Sequence, residues 1–234
     1  MRQVQRVMAY VGARDVIVDV LEPVEDSENF GVLLECVGTP LSARMRRTGR
    51  YHWLQSLSAP RSRTLFWKNI RRVATALGIV HAQGLVHGAL TSASIMTEGA
   101  DEPDFQLSGF EWSLWVGADS IDRSHAAISS TATVHRAETY SFAEDWRALG
   151  NMVAECLQIK IRPSGDMVSA GEANVPIVLN VSEKTLLKRL VMPTRLDYLD
   201  VASITRSIDD IVASIGQSTA ACFGSAPRRM SHDG

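Results

Sequence analysis

The chain has 234 residues, of which 45% are hydrophobic and 21% charged, and its net charge is −2. This length and balance predict a globular chain of one domain, or slightly more, with a true hydrophobic core rather than a disordered polymer. A net charge so close to zero gives no reason to expect nucleic acid or an anionic membrane surface as the main partner.

The cysteines, Cys36, Cys156 and Cys222, are scattered and form no C-x-x-C motif. Neither a disulfide framework nor a zinc site is indicated, and we expect a reducing, cytoplasmic location. Arginine and aspartate interrupt every apolar run before it reaches the length of a membrane span. The N-terminus lacks the apolar stretch and cleavage site of a secretory signal.

The first 37 residues predict a helix followed by a β-hairpin. Apolar residues recur at helical spacing in residues 1–12, and Gly12 is a plausible stop. Two runs rich in Val and Leu, Val16 to Leu21 and Phe30 to Val37, flank the polar stretch 25–29, which favours an antiparallel pair of strands. The apolar positions of the first helix are Val4, Val7, Met8 and Val11.

The middle of the chain predicts one dominant helix. After a short helix over Leu41 to Arg47, apolar residues step by four, three, four and three along one continuous face. Gly84 stands where a left-handed C-terminal cap belongs, and Phe105 to Leu107 is typical of a short strand. The apolar face consists of Phe66, Ile70, Val73, Leu77 and Val80.

Three further helices are predicted in the second half. Ser141 and Glu144 fit a capping box at the start of a helix that carries Trp146, Leu149, Val153 and Cys156 on one face. The remaining helical faces are Leu186, Leu187, Leu190 and Val191, and then Val201, Ile204, Ile208, Ile211 and Ile215, with Asp200 as N-cap and Gly216 as the end. We expect a long loop at 117–139, irregular structure at 158–180 and a disordered tail at 217–234.

Residues 87–96, with the sequence His-Gly-Ala-Leu-Thr-Ser-Ala-Ser-Ile-Met, follow the dominant helix and the apolar pair Leu85-Val86. This stretch resembles the catalytic loop H-R-D-L-x-x-x-N of protein kinases. In that family the Asp accepts the proton of the substrate hydroxyl, and the Asn holds a magnesium ion. The corresponding positions here are Ala89, whose methyl group cannot accept a proton, and Ser94, whose neutral hydroxyl is a poor anchor for magnesium.

The resemblance extends over roughly residues 1–216. Glu35, Cys36 and Val37 resemble the hinge whose backbone faces adenine, and Gly109-Phe110-Glu111 occupies the D-F-G region. Asp145 and Gly150 are similar to the D-x-x-S-L-G start of the helix that organises the C-lobe. The resemblance implies that Asp145 braces the backbone of His87 and Gly88, and that Arg195 is the arginine that pairs with the Glu of A-P-E, here Glu138 in a poorly matching His135-Arg-Ala-Glu138.

The departures from the family concern the residues that would hold phosphate, bind the metal ion and act as the base. A phosphate cradle needs a glycine-rich turn, but no G-x-G-x-x-G is present. The chain has no lysine before Lys68, and residues 1–12 carry no acidic partner for one. Gly109 replaces the metal-binding Asp. Glu111 and the loop acids Asp101, Glu102 and Asp104 are formal substitutes for metal ligands, although loop carboxylates are usually only solvated.

The sequence thus predicts an α+β, mainly α, protein kinase-like fold: an N-lobe remnant at 1–37, a helical C-lobe at 38–216 and the tail. We expect a pseudokinase that binds no cofactor, metal, nucleic acid or membrane. Its partner would be another protein, either an active kinase or a chain that completes the N-lobe. The alternative is an unorthodox ATP-binding kinase whose missing elements lie upstream or in a partner. A decayed fragment is disfavoured by the regular amphipathic faces.

Overall fold

A computed structural model describes residues 13–25, 30–47, 52–116, 141–169, 177–193 and 199–223. These residues form an α+β structure dominated by helices, as the sequence predicts. The described helices are α1 (Ala13–Val16), α2 (Leu41–Arg47), α3 (Pro60–Ala82), α4 (Phe142–Cys156), α5 (Val181–Val191) and α6 (Val201–Phe223). The described strands are β1 (Val20–Glu25), β2 (Phe30–Leu34), β3 (Thr39–Pro40), β4 (Leu85–Val86), β5 (Ile95–Thr97), β6 (Gln106–Leu107), β7 (Leu114–Trp115), β8 (Ile159–Ile161) and β9 (Met167–Ser169).

Helix α3 lies at the centre of the core. All five residues of its predicted apolar face are fully buried. Pro60 occupies the first turn, where its missing N–H costs no hydrogen bond. Gly84, with φ of +72°, ends the helical region as predicted, because a left-handed residue after the last turn is strained for anything except glycine.

The other long helices surround α3. Helix α6 packs directly along α3, and α4 packs on α5. The predicted apolar faces of α4 and α6 are buried at Trp146, Leu149, Ile208 and Ile211. None of the described helices combines the length and the apolar character needed to cross a membrane.

The strands form small antiparallel sheets that carry connecting loops. Strand β5 lies between β3 and β6, whereas β4 pairs with β7. Because β4 leads into residues 87–94 and β5 leads out of them, the loop between these strands is fixed at both ends by sheet pairing.

A buried ion pair connects α3 with α5. Arg63 donates to both carboxylate oxygens of Glu183, at 2.6 and 3.1 Å, and the Trp67 indole N–H donates to the same carboxylate at 2.7 Å. Glu183 also forms a capping box with Asn180 at the start of α5. Glu183 is only 2% exposed, so its charge is supported entirely by these donors.

The predicted hairpin is confirmed, but its first strand begins later than expected. Strands β1 and β2 pair with each other, whereas Val16 ends α1 and Ile17 forms an isolated bridge to Leu107. Val16, Ile17 and Val18 are all buried. Their apolar run therefore reflects packing in the core rather than membership of the hairpin.

One predicted helix boundary was wrong. Ser141 is the N-cap of α4 as predicted, but its side chain makes no capping hydrogen bond, and Glu144 instead pairs with the exposed Arg147 at 2.6 Å, so the predicted capping box is absent. Helix α6 continues past Gly216 to Phe223, because a glycine within a helix is a tolerated cost rather than an obligatory stop. The predicted cap at Asp200 is confirmed, since its carboxylate accepts the Ser203 N–H at 2.6 Å, and this bond lowers the pKa of Asp200.

The region 158–180 is less irregular than predicted. Strands β8 and β9 form a hairpin there, closed by a turn in which Gly165 has φ of +84°. Pro163 and Gly165, two of the residues that suggested irregular structure, are of the types that such a turn favours. The predicted helix at 1–12, the loop at 117–139 and most of the tail lie outside the described residues.

Gly150 in α4 and Gly216 in α6 offer a matched test of the packing between α4 and α5. A Cβ at Gly150 would lie 2.7 Å from Leu190 Cβ and 2.8 Å from Val191 Cγ2, whereas a Cβ at Gly216 meets nothing within 4 Å. We expect Gly150→Ala to lower the free energy of unfolding by about 1–3 kcal/mol, because α4 and α5 must move apart. Gly216→Ala should raise it by about 0.5–1 kcal/mol through helix propensity alone.

Denaturant titration of the two variants measures both changes. If the two substitutions shift stability in the same direction, the close α4–α5 contact at Gly150 is incorrect.

Candidate functional site

The carboxylate of Asp145 holds the loop that follows β4. One oxygen accepts the backbone N–H of His87 at 2.7 Å, and the other accepts the N–H of Gly88 at 2.9 Å. The ring of His81, in the last turn of α3, adds a third contact to the same carboxylate at 2.8 Å. Asp145 is 1% exposed, so these donors replace the water that it lost on burial. The contacts expected of Asp145 with His87 and Gly88 are therefore present.

The side chain of His87 connects this loop to the segment after β6. His87 is fully buried, and its Nε2 donates to the carbonyl oxygen of Ser108 at 2.8 Å, while Nδ1 accepts the Ala89 N–H. Its ring packs edge-on against Phe110, with 5.1 Å between the centroids. Burial lowers the pKa of His87, and the hydrogen bond to Ser108 offsets only part of this effect. His87 is therefore a neutral structural connector.

The hydroxyl of Ser94 is used within its own loop. It donates to the carbonyl of Thr91 at 2.8 Å and accepts the Thr91 N–H at 2.9 Å. The Ser94 carbonyl accepts both the backbone N–H and the hydroxyl of Ser108. Ser94, which the resemblance would align with a magnesium-binding Asn, thus closes a turn. Ala89, which the resemblance would align with the catalytic base, supplies only a methyl group.

Gly109 brings the D-F-G-like segment against Ser94. Its φ is +81°, and a Cβ there would lie 3.0 Å from Ser94 Cβ. A side chain at this position would therefore require both backbone strain and displacement of Ser94. Phe110 packs on His87, whereas Glu111 is exposed. Gly109 and Ser94, two of the positions to which the resemblance points, therefore approach each other closely.

The remaining candidate residues are dispersed. Glu35 and Cys36 are exposed and Val37 is half-buried, between β2 and β3. The next residue, Gly38, has φ of +100° and passes so close to Thr97 that a Cβ would lie 2.4 Å from the Thr97 carbonyl oxygen. Arg195 and Glu138 lie outside the described residues.

The loop acids do not form a metal centre in the part of the chain that the structure describes. The carboxylate of Asp104 accepts the hydroxyl of Thr97 and the backbone N–H groups of residues 98–100, so it builds a turn. Asp101 and Glu102 are exposed and line a groove of about 370 Å³ beside the N-terminal half of α3, together with Lys68. Among the described residues no three His, Cys, Asp or Glu side chains lie close enough to share a metal ion.

Sequence reasoning missed two polar residues that organise this region. The sequence assigns no role to His81, yet its ring contacts Asp145 and lies 4.5 Å from the ring of Phe142. The side-chain oxygen of Asn69 accepts the backbone N–H groups of Asp104 and Phe105. A polar residue on the otherwise apolar face of a helix was the available signal for Asn69.

Comparison with known proteins does not assign the chain to a family. No protein-family model matches the sequence, and no curated protein matches it significantly.

The burial of His87 predicts a pH-dependent stability. Its pKa is lowered in the folded state, so the unfolded chain takes up this proton first as the pH falls below about 6.5. The contribution of His87 to stability is therefore complete above that pH and decreases below it, by up to about 1.4 kcal/mol per pH unit. Because glutamine cannot take up this proton, we expect His87→Gln to cost less stability at pH 5.5 than at pH 7.5.

Denaturant unfolding of the wild-type chain and of His87→Gln at pH 5.5 and pH 7.5 measures the stability cost of the substitution at each pH. An equal cost at both would mean that His87 titrates alike in the folded and unfolded chains.

Proposed function

We propose that the chain is a protein kinase-like domain that does not transfer phosphate and acts by binding another protein, as a scaffold or allosteric regulator. One observation carries this proposal. Buried hydrogen bonds that Asp145 accepts and His87 donates hold the loop of residues 87–94, although the positions that would carry the chemistry are Ala89 and Ser94. A fold can keep its architecture while its function changes. A loop that is held in place without catalytic groups therefore supports a binding role.

The geometry around the loop of residues 87–94 argues against efficient phosphate transfer. Ala89 cannot accept a proton, and losing a positioned base typically lowers a rate by roughly 10²- to 10⁴-fold. The Ser94 hydroxyl is already hydrogen-bonded within the loop, and Gly109 has neither a side chain nor space for one. Magnesium prefers carboxylate and amide oxygens, which neither position offers.

The groups that would hold a triphosphate are also missing from the sequence. Lys68, the first lysine in the chain, lies on helix α3 beside the groove with Arg61, Asp101 and Glu102. A kinase-like lysine would instead come from a strand close to the nucleotide. The alternative is residual ATP binding, with adenine at the backbone of residues 35–37 and the lysine supplied by an upstream segment or a partner.

The β1–β2 hairpin is the surface that we assign to the partner. In the described part of the chain its two strands pair only with each other, and Leu33 is 46% exposed. Unpaired strand edges readily accept a further strand from another chain. The partner is accordingly either an active kinase or a chain that completes this sheet.

Nucleotide binding separates the proposal from its alternative. We expect saturating Mg·ATP to leave the melting temperature of the purified chain unchanged. A ligand at 100 times its dissociation constant would stabilise the folded state by about 2.7 kcal/mol, a readily measured shift. ATP without magnesium and magnesium alone are the controls.

An upward shift that requires both ATP and magnesium would support the alternative. Radiolabel transferred from ATP to any acceptor, and lost in Ser94→Ala or Glu111→Gln, would overturn the proposal.

Partner binding is tested by co-purification from the native host with two matched variants. Leu33→Glu places a charge on the exposed hairpin, whereas Val178→Glu places the same charge at a position 83% exposed beside α5. We expect a stoichiometric partner with the wild-type chain and with Val178→Glu, and its loss with Leu33→Glu. A wild-type chain that always elutes alone, or a partner retained equally by all three chains, would contradict the role of the hairpin.

A further inference from the structure

We propose that the partner adds a strand to the outer edge of β2, and that this strand has apolar residues in its middle and lysine or arginine at its ends. The inference rests on the proposed function, because it specifies which edge of the hairpin binds and which chemistry it accepts. Leu33 is 46% exposed and Leu34 43% exposed. Neighbouring residues of a strand lie on opposite faces, so both faces of β2 are open to solvent at this end.

The outer edge of β1 is poorly suited to accept a strand. Pro23 lies within β1, opposite Val32, and has no backbone N–H. Proline is tolerated in a sheet where its missing N–H faces an open edge, so the outer edge of β1 lacks a donor at this residue. The register of the pair also shifts between Val20 and Glu22, and such a bulge twists an edge away from a further strand.

The outer edge of β2 has neither feature. The N–H of Glu35 donates to the carbonyl oxygen of Asp19 at 2.9 Å, so it points toward β1. Because successive N–H groups of a strand point in opposite directions, the N–H groups of Leu34 and of residue 32 point away from β1. Residues 30–34 include no proline. Among the described strands β2 pairs only with β1, so these donors face an edge that a further strand can use.

The charge around β2 sets the chemistry of the added strand. The stretch 19–35 contains six acidic residues and no Lys or Arg. Residues 30–34 carry no charge, and acidic residues stand on both sides of them in the sequence. These flanking residues are Glu25, Asp26, Glu28 and Glu35. A strand on β2 is therefore favoured by apolar residues beside Leu33 and Leu34 and by basic residues at its ends, where Glu35 is exposed.

The same charges disfavour a second copy of the chain as the occupant. Edge-to-edge pairing of two such hairpins would bring the acidic stretches of both copies together, and like charges across an interface are unfavourable. Charged side chains at a strand edge also protect against self-association. The occupant that fits is therefore a segment of a different protein.

Peptide binding to the purified full-length chain tests this proposal. The probe is a fluorescent peptide of about five valines between pairs of lysines, matched to the five or six residues of a typical strand. In the control peptide, glutamates replace the lysines. We expect fluorescence anisotropy to show binding of the lysine peptide and none of the glutamate peptide.

Two charge reversals locate the contact. Glu35→Lys should weaken binding of the lysine peptide by about tenfold or more, because it places like charges side by side. Asp210→Lys makes the same change on the exposed side of α6 and should bind like the wild-type chain. No binding of the lysine peptide, equal binding of both peptides, or equal weakening by both substitutions would overturn the proposal.

Hydrogen exchange identifies the edge. The lysine peptide should slow exchange of the amides of residues 32 and 34 by about tenfold or more, because they become hydrogen-bonded, and should leave the amide of Val20 on β1 unchanged. Protection of Val20 instead would overturn the choice of β2. Slow exchange of residues 32 and 34 in the free chain would also overturn it, because another part of the same chain would then occupy the edge.

Co-purification distinguishes this strand chemistry from the broader binding role. If the lysine peptide does not bind while Leu33→Glu still loses the native partner, the proposed strand chemistry is wrong and the binding role stands. If the peptide binds at β2 while the wild-type chain always elutes alone from its host, the binding role is wrong and the strand chemistry of β2 stands.

Discussion

The buried carboxylate of Asp145 is the constraint on which the centre of this structure depends. It lies in the first turn of α4, yet it binds backbone N–H groups at residues 87 and 88 and the ring of His81. Because a buried carboxylate without donors would be strongly unfavourable, α3, α4 and the loop after β4 must form together. The neutral ring of His87 then extends this connection to the segment after β6.

Ser94 and Gly109 both contribute to the packing of the loop beside this carboxylate. Ser94 closes a turn with Thr91, and the absent side chain of Gly109 lets the D-F-G-like segment approach Ser94 closely. An Asp at 109 would therefore meet both backbone strain and a collision with Ser94. Both residues thus fit the loop as it is packed, which agrees with the binding role proposed above.

The sequence was most informative where apolar residues repeat. The faces of α3, α4 and α6 are buried as predicted, because core packing imposes the 3.6-residue period directly. A local signal failed at Ser141 and Glu144, which match a capping box that their side chains do not form, whereas the complete box is at Asn180 and Glu183. The contact of His81 with Asp145 spans 64 residues, and no local pattern encodes such a pairing. The kinase-like resemblance itself remains a hypothesis about these contacts.

The ion pair between Arg63 and Glu183 has a consequence for how far the chain can be shortened. Glu183 supports the guanidinium of Arg63, the indole of Trp67 and the first turn of α5 at once. A chain cut before residue 180 would remove the counter-charge of Arg63 and the acceptor of the Trp67 indole, so the central helix would lose these buried contacts. The smallest piece able to fold by itself must therefore extend through α5, although the loop that resembles a catalytic site lies some ninety residues earlier.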